Sequence, residues 1–297
     1  MPVYTLSSAS EISSFLASQY NFDVLRLPLH GPDNMPTPHC GLFRSDLSGS
    51  DACIGNAVSP KYVPHQTRHV AGVVEAARQI FDGELSIDCY WNEGHFLVIQ
   101  PTRRSVLEIA KGDKVIPRLT IHAGYDGKGF KASAGFFRFV CTNLARLQSV
   151  AGTSRTIRHT LSFEDKFDNL LRDFSVLDAS WQTTVEKINR MNANRIKVAD
   201  FMFSLFGDVQ SKDGRAKTVA INTIEKILGR LVRESEKLGI VIDASGAGDA
   251  SGWMLWNAVQ GYLQHDSTRK ESDATLKGYQ TFDDALLAQA ESLALGV

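Results

Sequence analysis

The chain has 297 residues, 43% of them hydrophobic, and a formal net charge of −1, which is enough to bury a sizeable core as one large domain or one domain with a helical extension. No apolar run reaches the roughly 20 residues of a membrane span, and the opening MPVYTLSSASEISSF has no basic stretch ahead of an apolar one, so a cytoplasmic setting without a membrane partner is expected. Cys40, Cys53, Cys89 and Cys141 form neither a CxxC pair nor a Cys/His cluster at zinc spacing, and His65 and His69, i,i+4 on an expected helix, lack the glutamate of HExxH; no metal or other cofactor is expected.

Residues 8 to 20 read as a first helix, followed by turns and short strands around His30-Gly31-Pro32-Asp33 and Met35-Pro36-Thr37-Pro38. Ile54 to Val63 reads as a strand broken at Ser59-Pro60, and His65 to Phe81 spaces Val70, Val73, Val74, Ala77 and Ile80 at helical intervals up to a stop at Asp82-Gly83. Two hairpins are expected next: 85 to 91 with 95 to 102 across Asn92-Glu93-Gly94, then 115 to 124 with 130 to 140 across Asp126-Gly127-Lys128-Gly129. Cys141 to Val150 is expected to continue as a short helix. From Ser162 onward the pattern is of amphipathic helices, at 163–194, 196–206, 216–237, 250–265 and 280–294, with Ser162 as the first N-cap and Glu164 and Asp165 in the first turn, where they suit the helix dipole. The fold class is therefore α+β: a mixed domain over 1–160 with an antiparallel sheet of hairpins and a helix, then a mostly helical region over 161–297 packed against it, with a flexible boundary at 151 to 162. Ser267 to Thr275 is polar enough for a disordered loop.

The charge is uneven. Between Arg103 and Leu161 eleven Lys and Arg face three acids, a local +8, so the remainder of the −1 chain carries −9. Such clustering points to a polyanion, because a phosphate backbone rewards grouped cations through counterion release. Strand alternation sets Phe130, Ala132, Ala134, Phe136 and Arg138 on one face and Lys131, Ser133, Gly135, Phe137 and Phe139 on the other, so most of these phenylalanines belong to the core and Lys128 and Lys131 are the better phosphate contacts. Arg103, Arg104, Lys111, Arg155, Arg158 and His159 complete the candidate nucleic-acid-binding set, with Arg158 either reaching phosphate or pairing with the acidic start of the helix at 163.

Catalysis has less support. HExxH, GxSxG and the Walker lysine motif are all missing, so binding rather than an enzyme activity is expected. Asp243-Ala244-Ser245-Gly246-Ala247-Gly248-Asp249 resembles the anion-hole motif of ribokinase-like sugar kinases, but that fold needs repeated βα units and an early glycine-rich segment, whereas 163 to 237 reads as nearly unbroken helix. What remains is a glycine-rich helix entry with Asp249 as N-cap, followed by Trp253, Trp256 and Tyr262 on one helix side, a core pattern.

Five pieces in order carry a resemblance. Val58-Ser59-Pro60-Lys61-Tyr62 resembles a "VSxxY" element, Gly112-Asp113 precedes a strand and the Asp126-Gly127 hairpin, and Arg138-Phe139-Val140-Cys141-Thr142-Asn143 is similar to an "RxVCxN" junction. Ile157-Arg158-His159-Thr160 is similar to an "RHT" step, and the stretch from Trp256-Asn257-Ala258 to Tyr262 and His265 resembles "WxxxNAVTEYxxH", departing at Gln260-Gly261. Over roughly 50 to 265 the chain thus resembles the phage/plasmid-like proteins, a family of unknown function, and at the level of fold the order at 85 to 150 is similar to phage single-strand annealing proteins. The family resemblance implies little about activity; the basic segment, taken with the likeness to annealing proteins, leads to the expectation of a nucleic-acid-binding protein of phage or plasmid DNA metabolism in a bacterial host, with single-stranded DNA as partner and a homo-oligomeric form, and the alternative is a phage counter-defence or host-interaction protein with a protein partner.

Overall fold

The computed structural model describes residues 3–6, 8–80, 85–92, 96–103, 106–125, 129–141, 143–145, 147, 150, 154–209, 218–243, 247–267 and 284–297. One antiparallel sheet runs in the order β1 (Val3–Leu6), β4 (Leu85–Asn92), β5 (Phe96–Arg103), β7 (Asp113–Gly124), β8 (Phe130–Arg138) and β10 (Ser154–Ile157), with β6 (Leu107–Ala110) beside β7 and β9 (Asn143–Ala145) beside β8. A hairpin of β2 (Val24–His30) and β3 (Pro36–Arg44) and a ribbon of β11 (Arg195–Lys197) and β12 (Asp249–Ser251) stand apart from it in pairing. The helices are α1 (Ala9–Ser18), α2 (Thr67–Ile80), α3 (Phe163–Arg172), α4 (Phe174–Ala193), α5 (Val198–Phe206), α6 (Thr218–Lys237), α7 (Gly252–Gly261), which continues as a π-helical turn over Tyr262–Asp266, and α8 (Ala285–Leu295). The expected α+β class, with antiparallel hairpins ahead of a mostly helical region, is what the chain adopts.

Two compact units divide the chain, and they interleave. The first comprises Met1–Arg104, Arg118–Ala134 and Gly152–Ala179; the second comprises Ser105–Pro117, Gly135–Ala151 and Ser180–Val297, so β7, β8 and α4 each contribute to both.

The first unit begins with a reciprocal cap: the Ser8 hydroxyl accepts from the Glu11 N–H at 3.2 Å while the Glu11 carboxylate accepts from the Ser8 N–H at 3.0 Å, satisfying two of the orphan donors at the start of α1. Its core joins the α2 face Val70, Val73, Val74 and Ala77 to Phe163, Phe167 and Leu170 of α3 and to Leu119, Ile121 and Phe130 of the sheet. Inside it lies a stack of imidazoles and rings. His159 is sandwiched between Tyr62, at 4.6 Å between centroids, and Phe163, at 5.2 Å, and His65 stacks on Tyr125 at 4.2 Å. His69 accepts from the Gln66 N–H at Nδ1, 2.7 Å, so its Nε2 carries the proton it gives to Glu164 at 2.8 Å.

The second unit is built around α7, all ten of whose residues are buried. Trp253 and Trp256 stack at 5.8 Å, Phe136 lies against both, and the α6 residues Ile227 and Leu231 and the α8 residues Leu287, Ala290 and Ala294 belong to the same core.

Several local expectations are corrected. Ile54 to Val63 forms no strand; Val58 makes a single bridge to Cys40, since the chain must turn at Pro60 before α2. His65 precedes α2 instead of lying on it. The expected helix after Cys141 is replaced by β9, which folds straight back on β8 with Asn143 opposite Arg138. The helix at 163–194 breaks at Asp173 into α3 and α4, and Ser162 gives no side-chain cap, its hydroxyl lying 3.1 Å from that of Thr160. Residues 154–157 of the supposed flexible link are β10. Asp249 opens β12, and it is Ser251 that caps α7 by accepting from the Met254 N–H at 3.3 Å. The turns at Asp126-Gly127 and Glu93-Gly94, the stop at Asp82-Gly83 and most of the polar loop after Ser267 lie outside the described residues.

The buried imidazole of His65 sets a pH dependence. It is fully enclosed, and burial, followed by the neighbouring His159, His69 and His122, holds its pKa well below the ordinary 6.5. The unfolded chain therefore takes up this proton first as pH falls, so stability is unaffected above about 6.5 and lost below it, at up to about 1.4 kcal/mol per pH unit. Urea unfolding between pH 8 and 5 should show that loss, and His65→Phe should make it shallower, leaving the part due to His265, which burial also holds low; an equally steep loss in the variant would assign the effect to other groups.

Candidate nucleic-acid interface

Two of the basic residues that make up the +8 segment are interior. Arg118 is 8% exposed and Arg138 is 0% exposed. Arg138 lies on the Phe136 face of β8, and a buried guanidinium is tolerated only with its charge matched and its donors satisfied. Its Nε and Nη2 each donate to one oxygen of Asp113 at 2.8 Å, and its Nη1 donates to Glu234 at 2.7 Å. Trp253 Nε1 donates to the same Asp113 at 2.8 Å. Burial alone would loosen the Arg138 proton; Cys141 and the carboxylates of Asp113 and Glu234 reverse this and raise its pKa above the ordinary value. The Cys141 thiol beside it, 3.5 Å from Nη1, is pushed up to about 12 by burial and is inert near neutral pH. Arg138, Asp113, Cys141, Glu234 and Trp253 all belong to the second unit, whereas Arg118 belongs to the first.

The other candidates divide. Lys111, exposed in the turn between β6 and β7, belongs to the second unit. Lys131, Arg155 and Arg158 all lie at the β10 end of the sheet in the first unit. His159, expected as a surface contact, is 7% exposed within its stack, with Nδ1 at 3.0 Å from the Val63 carbonyl, because the apolar rings of Tyr62 and Phe163 enclose it. The Arg103 side chain, Arg104 and Lys128 lie outside the described residues.

Register decides which face each takes. Lys131 is opposite Thr156 and Arg155 opposite Ala132, and opposed residues of an antiparallel pair share a face. Lys131 and Arg155 therefore flank the two faces of the edge strand. On the Arg155 face a cleft of about 170 Å³ is lined by Arg155, Lys166, Asn169 and Asp173, the last three from α3 and its C-cap. Arg155 Nε is 3.9 Å from Asp173, with both side chains more than a third exposed, a contact worth at most about 1 kcal/mol that an arriving anion can displace. Arg158 is exposed and does not pair with the start of α3: Glu164 is engaged by Arg68 at 3.1 Å and His69 at 2.8 Å. Burial alone would raise the Glu164 pKa, and those two partners hold it below its ordinary value instead. Lys166 and Asn169 were not singled out by sequence; one helical turn apart, they signal only once β10 is known to lie beside α3.

Among the described residues no group of His, Cys, Asp and Glu is placed to hold a metal, and no helix is long and apolar enough to cross a membrane. Of the aromatic residues among the basic set, Tyr125, Phe130 and Phe136 are fully buried, while Phe137 is half-buried and Phe139 exposed, both in the second unit. What the β10 edge offers is charge and amide donors.

Gly129 fixes that edge. A Cβ there would come within 2.7 Å of the Ile157 carbonyl oxygen and 2.9 Å of Thr156 Cγ2, so Gly129→Ala should push β10 away from β8. Amide exchange at residues 155 to 157 should then accelerate; unchanged protection would show that the strand does not depend on this approach.

No curated protein and no solved structure matches the chain. The family described as "Domain of unknown function (DUF932)" matches over residues 56–283, a stretch that holds both the imidazole stack and the Arg138 network as well as β10. The chain belongs to that family.

Proposed function

We propose that the chain binds single-stranded nucleic acid, without sequence preference, at the β10 edge of its first unit, in phage or plasmid DNA metabolism such as strand annealing. The observation that carries this reading is the cleft between β10 and α3, where Arg155, Lys166 and Asn169 face a space of about 170 Å³ with Arg158 exposed just beyond the strand. Arginine and lysine side chains of this kind capture phosphate by charge and hydrogen bonding. Base stacking has no support at this edge, since Tyr125, Phe130 and Phe136 are buried and the half-buried Phe137 and exposed Phe139 belong to the second unit, so recognition falls on the backbone and is indifferent to base identity. Three or four phosphate contacts bind weakly alone, and a homo-oligomer that sets several such edges along one strand multiplies them.

Fluorescence anisotropy with single-stranded homopolymers and mixed oligonucleotides over a salt series tests this. Affinity should fall linearly with log salt, similarly for each sequence, and each of Arg155→Ala, Arg158→Ala and Lys166→Ala should lower the magnitude of the slope by about 0.7. The melting curves should stay within about 0.5 kcal/mol of wild type, as for other surface changes. Salt-independent binding, no binding, or a triple variant that binds as tightly as wild type at low salt would overturn the reading.

A further inference from the structure

The second unit holds a larger cleft, of about 520 Å³, between α6 and the π-helical turn that extends α7. Lys226, Arg233 and His265 line it together with Glu225, Gly229 and Asp266. Its volume lies in the range of about 300–1,000 Å³ typical of small-molecule sites.

Three features mark it as built for a ligand. The first is the π turn over Tyr262–Asp266, an uncommon geometry that concentrates at functional sites because it redirects the side chains after it. Here it brings Asp266 to Arg230, whose Nε and Nη2 donate to the two carboxylate oxygens at 2.9 Å each, while Arg230 Nη1 also lies 3.5 Å from Glu234. Gly261 makes this crossing possible, since a Cβ there would overlap Arg230 Cδ. The wall between α6 and the turn is thus held by a bidentate ion pair.

The second feature is Gly229, in the interior of α6. Glycine there weakens a helix relative to alanine. Packing does not demand it, for an added Cβ would meet nothing closer than Arg233 Nη1 at 3.4 Å. The missing side chain instead opens the floor of the cleft.

The third is charge. Asp266 is taken up by Arg230, and Arg233, 59% exposed, is only loosely placed at 3.8 Å from it. Lys226 adds a second exposed cation against Glu225. His265 is kept from protonating, its pKa lowered to about 4 by burial and by Arg230, so near neutral pH it offers an uncharged imidazole beside the cations.

We infer that this cleft binds the phosphate group of a small phosphorylated molecule of about nucleotide size, with Arg233 and Lys226 as its charged ligands. The site is independent of the nucleic-acid reading, since it uses none of the residues of the β10 edge.

Isothermal titration of the full chain with inorganic pyrophosphate, adenosine diphosphate and a 5′-phosphorylated trinucleotide tests this, with the unphosphorylated trinucleotide as control. Saturable binding of any of the three phosphorylated probes supports the site, and the tightest identifies whether the phosphate comes from a free anion, a nucleotide or a strand end. Arg233→Ala should weaken that probe about tenfold or more, the effect of losing one charged hydrogen bond, and Gly229→Ala should weaken it while raising the melting midpoint. The variant Arg155→Ala/Arg158→Ala/Lys166→Ala should bind the probe as wild type does. Failure of all three probes to saturate, wild-type affinity in Arg233→Ala and Gly229→Ala, or loss of binding in the triple variant would overturn the inference.

Discussion

A fully buried arginine governs the second unit. Arg138 is 0% exposed, and its partners come from three elements and the turn after its own strand: Asp113 at the start of β7, Glu234 on α6, Trp253 on α7, over whose ring the guanidinium lies at 5.5 Å, and Cys141 just beyond β8. Moving a guanidinium out of water costs several kcal/mol that its ion pairs must offset, and breaking a buried pair typically costs about 3–5 kcal/mol. The elements that carry those partners are therefore not free to shift singly. The β6–β7 turn, with Gly112 at φ +79° and its N–H donating to Glu108 at 2.7 Å, delivers Asp113, and the bond from the Phe139 N–H to the Lys114 carbonyl at 3.1 Å holds the end of β8 beside it. Burial lifts the Glu234 carboxyl above its ordinary value, and Arg138 and Arg230 oppose that lift. Arg230 in turn anchors Asp266, so the same chain of charges extends to the π turn.

The sequence pieces that carry the family resemblance acquire a physical meaning from these contacts. Tyr62 and His159, 97 residues apart in the numbering, meet as a ring stack, and the Val63 N–H donates to the His159 carbonyl at 3.2 Å. Asp113, Arg138 and Trp253 meet in the ionic network, and the Asn143 amide donates to the Asn257 carbonyl at 3.1 Å. The motifs thus sort into one hub in each unit. Both hubs are interior, and the surfaces proposed to bind ligands lie elsewhere, on Arg155, Arg158 and Lys166 and on Lys226 and Arg233.

Elements with a strong period of their own were legible. The valines of α2, the amphipathic face of α6 and the two core tryptophans of α7 are where their spacing puts them. Elements made by pairing were not. β9 is three residues long and β10 four, and a strand that short exists because β8 is there to bond it. Alternation along β8 did place Arg138 on the face of Phe130 and Phe136, which is the buried one. Its charge suggested solvent only because its partners stand 25 and 96 residues away, at distances along the chain that no local pattern reports. The candidate site suffered in the same way: Arg155 and Arg158 could be read from charge, but Lys166 and Asn169 join them only through the packing of α3 beside β10. The interleaving of the units, with β7 and β8 serving both, is likewise a property of pairing and leaves no composition shift.

The account rests on charge matching at Arg138, and a comparison of unfolding free energies in urea at neutral pH tests it. Arg138→Met alone leaves Asp113 buried without a counter-charge and Glu234 with Arg230 alone, at 3.5 Å, and should cost about 3–5 kcal/mol. Adding Asp113→Asn and Glu234→Gln removes the stranded charges, so the triple variant should be more stable than Arg138→Met alone although more native contacts are gone. A triple variant that loses the sum of the single losses, or an Arg138→Met variant as stable as wild type, would contradict the central place given to this residue.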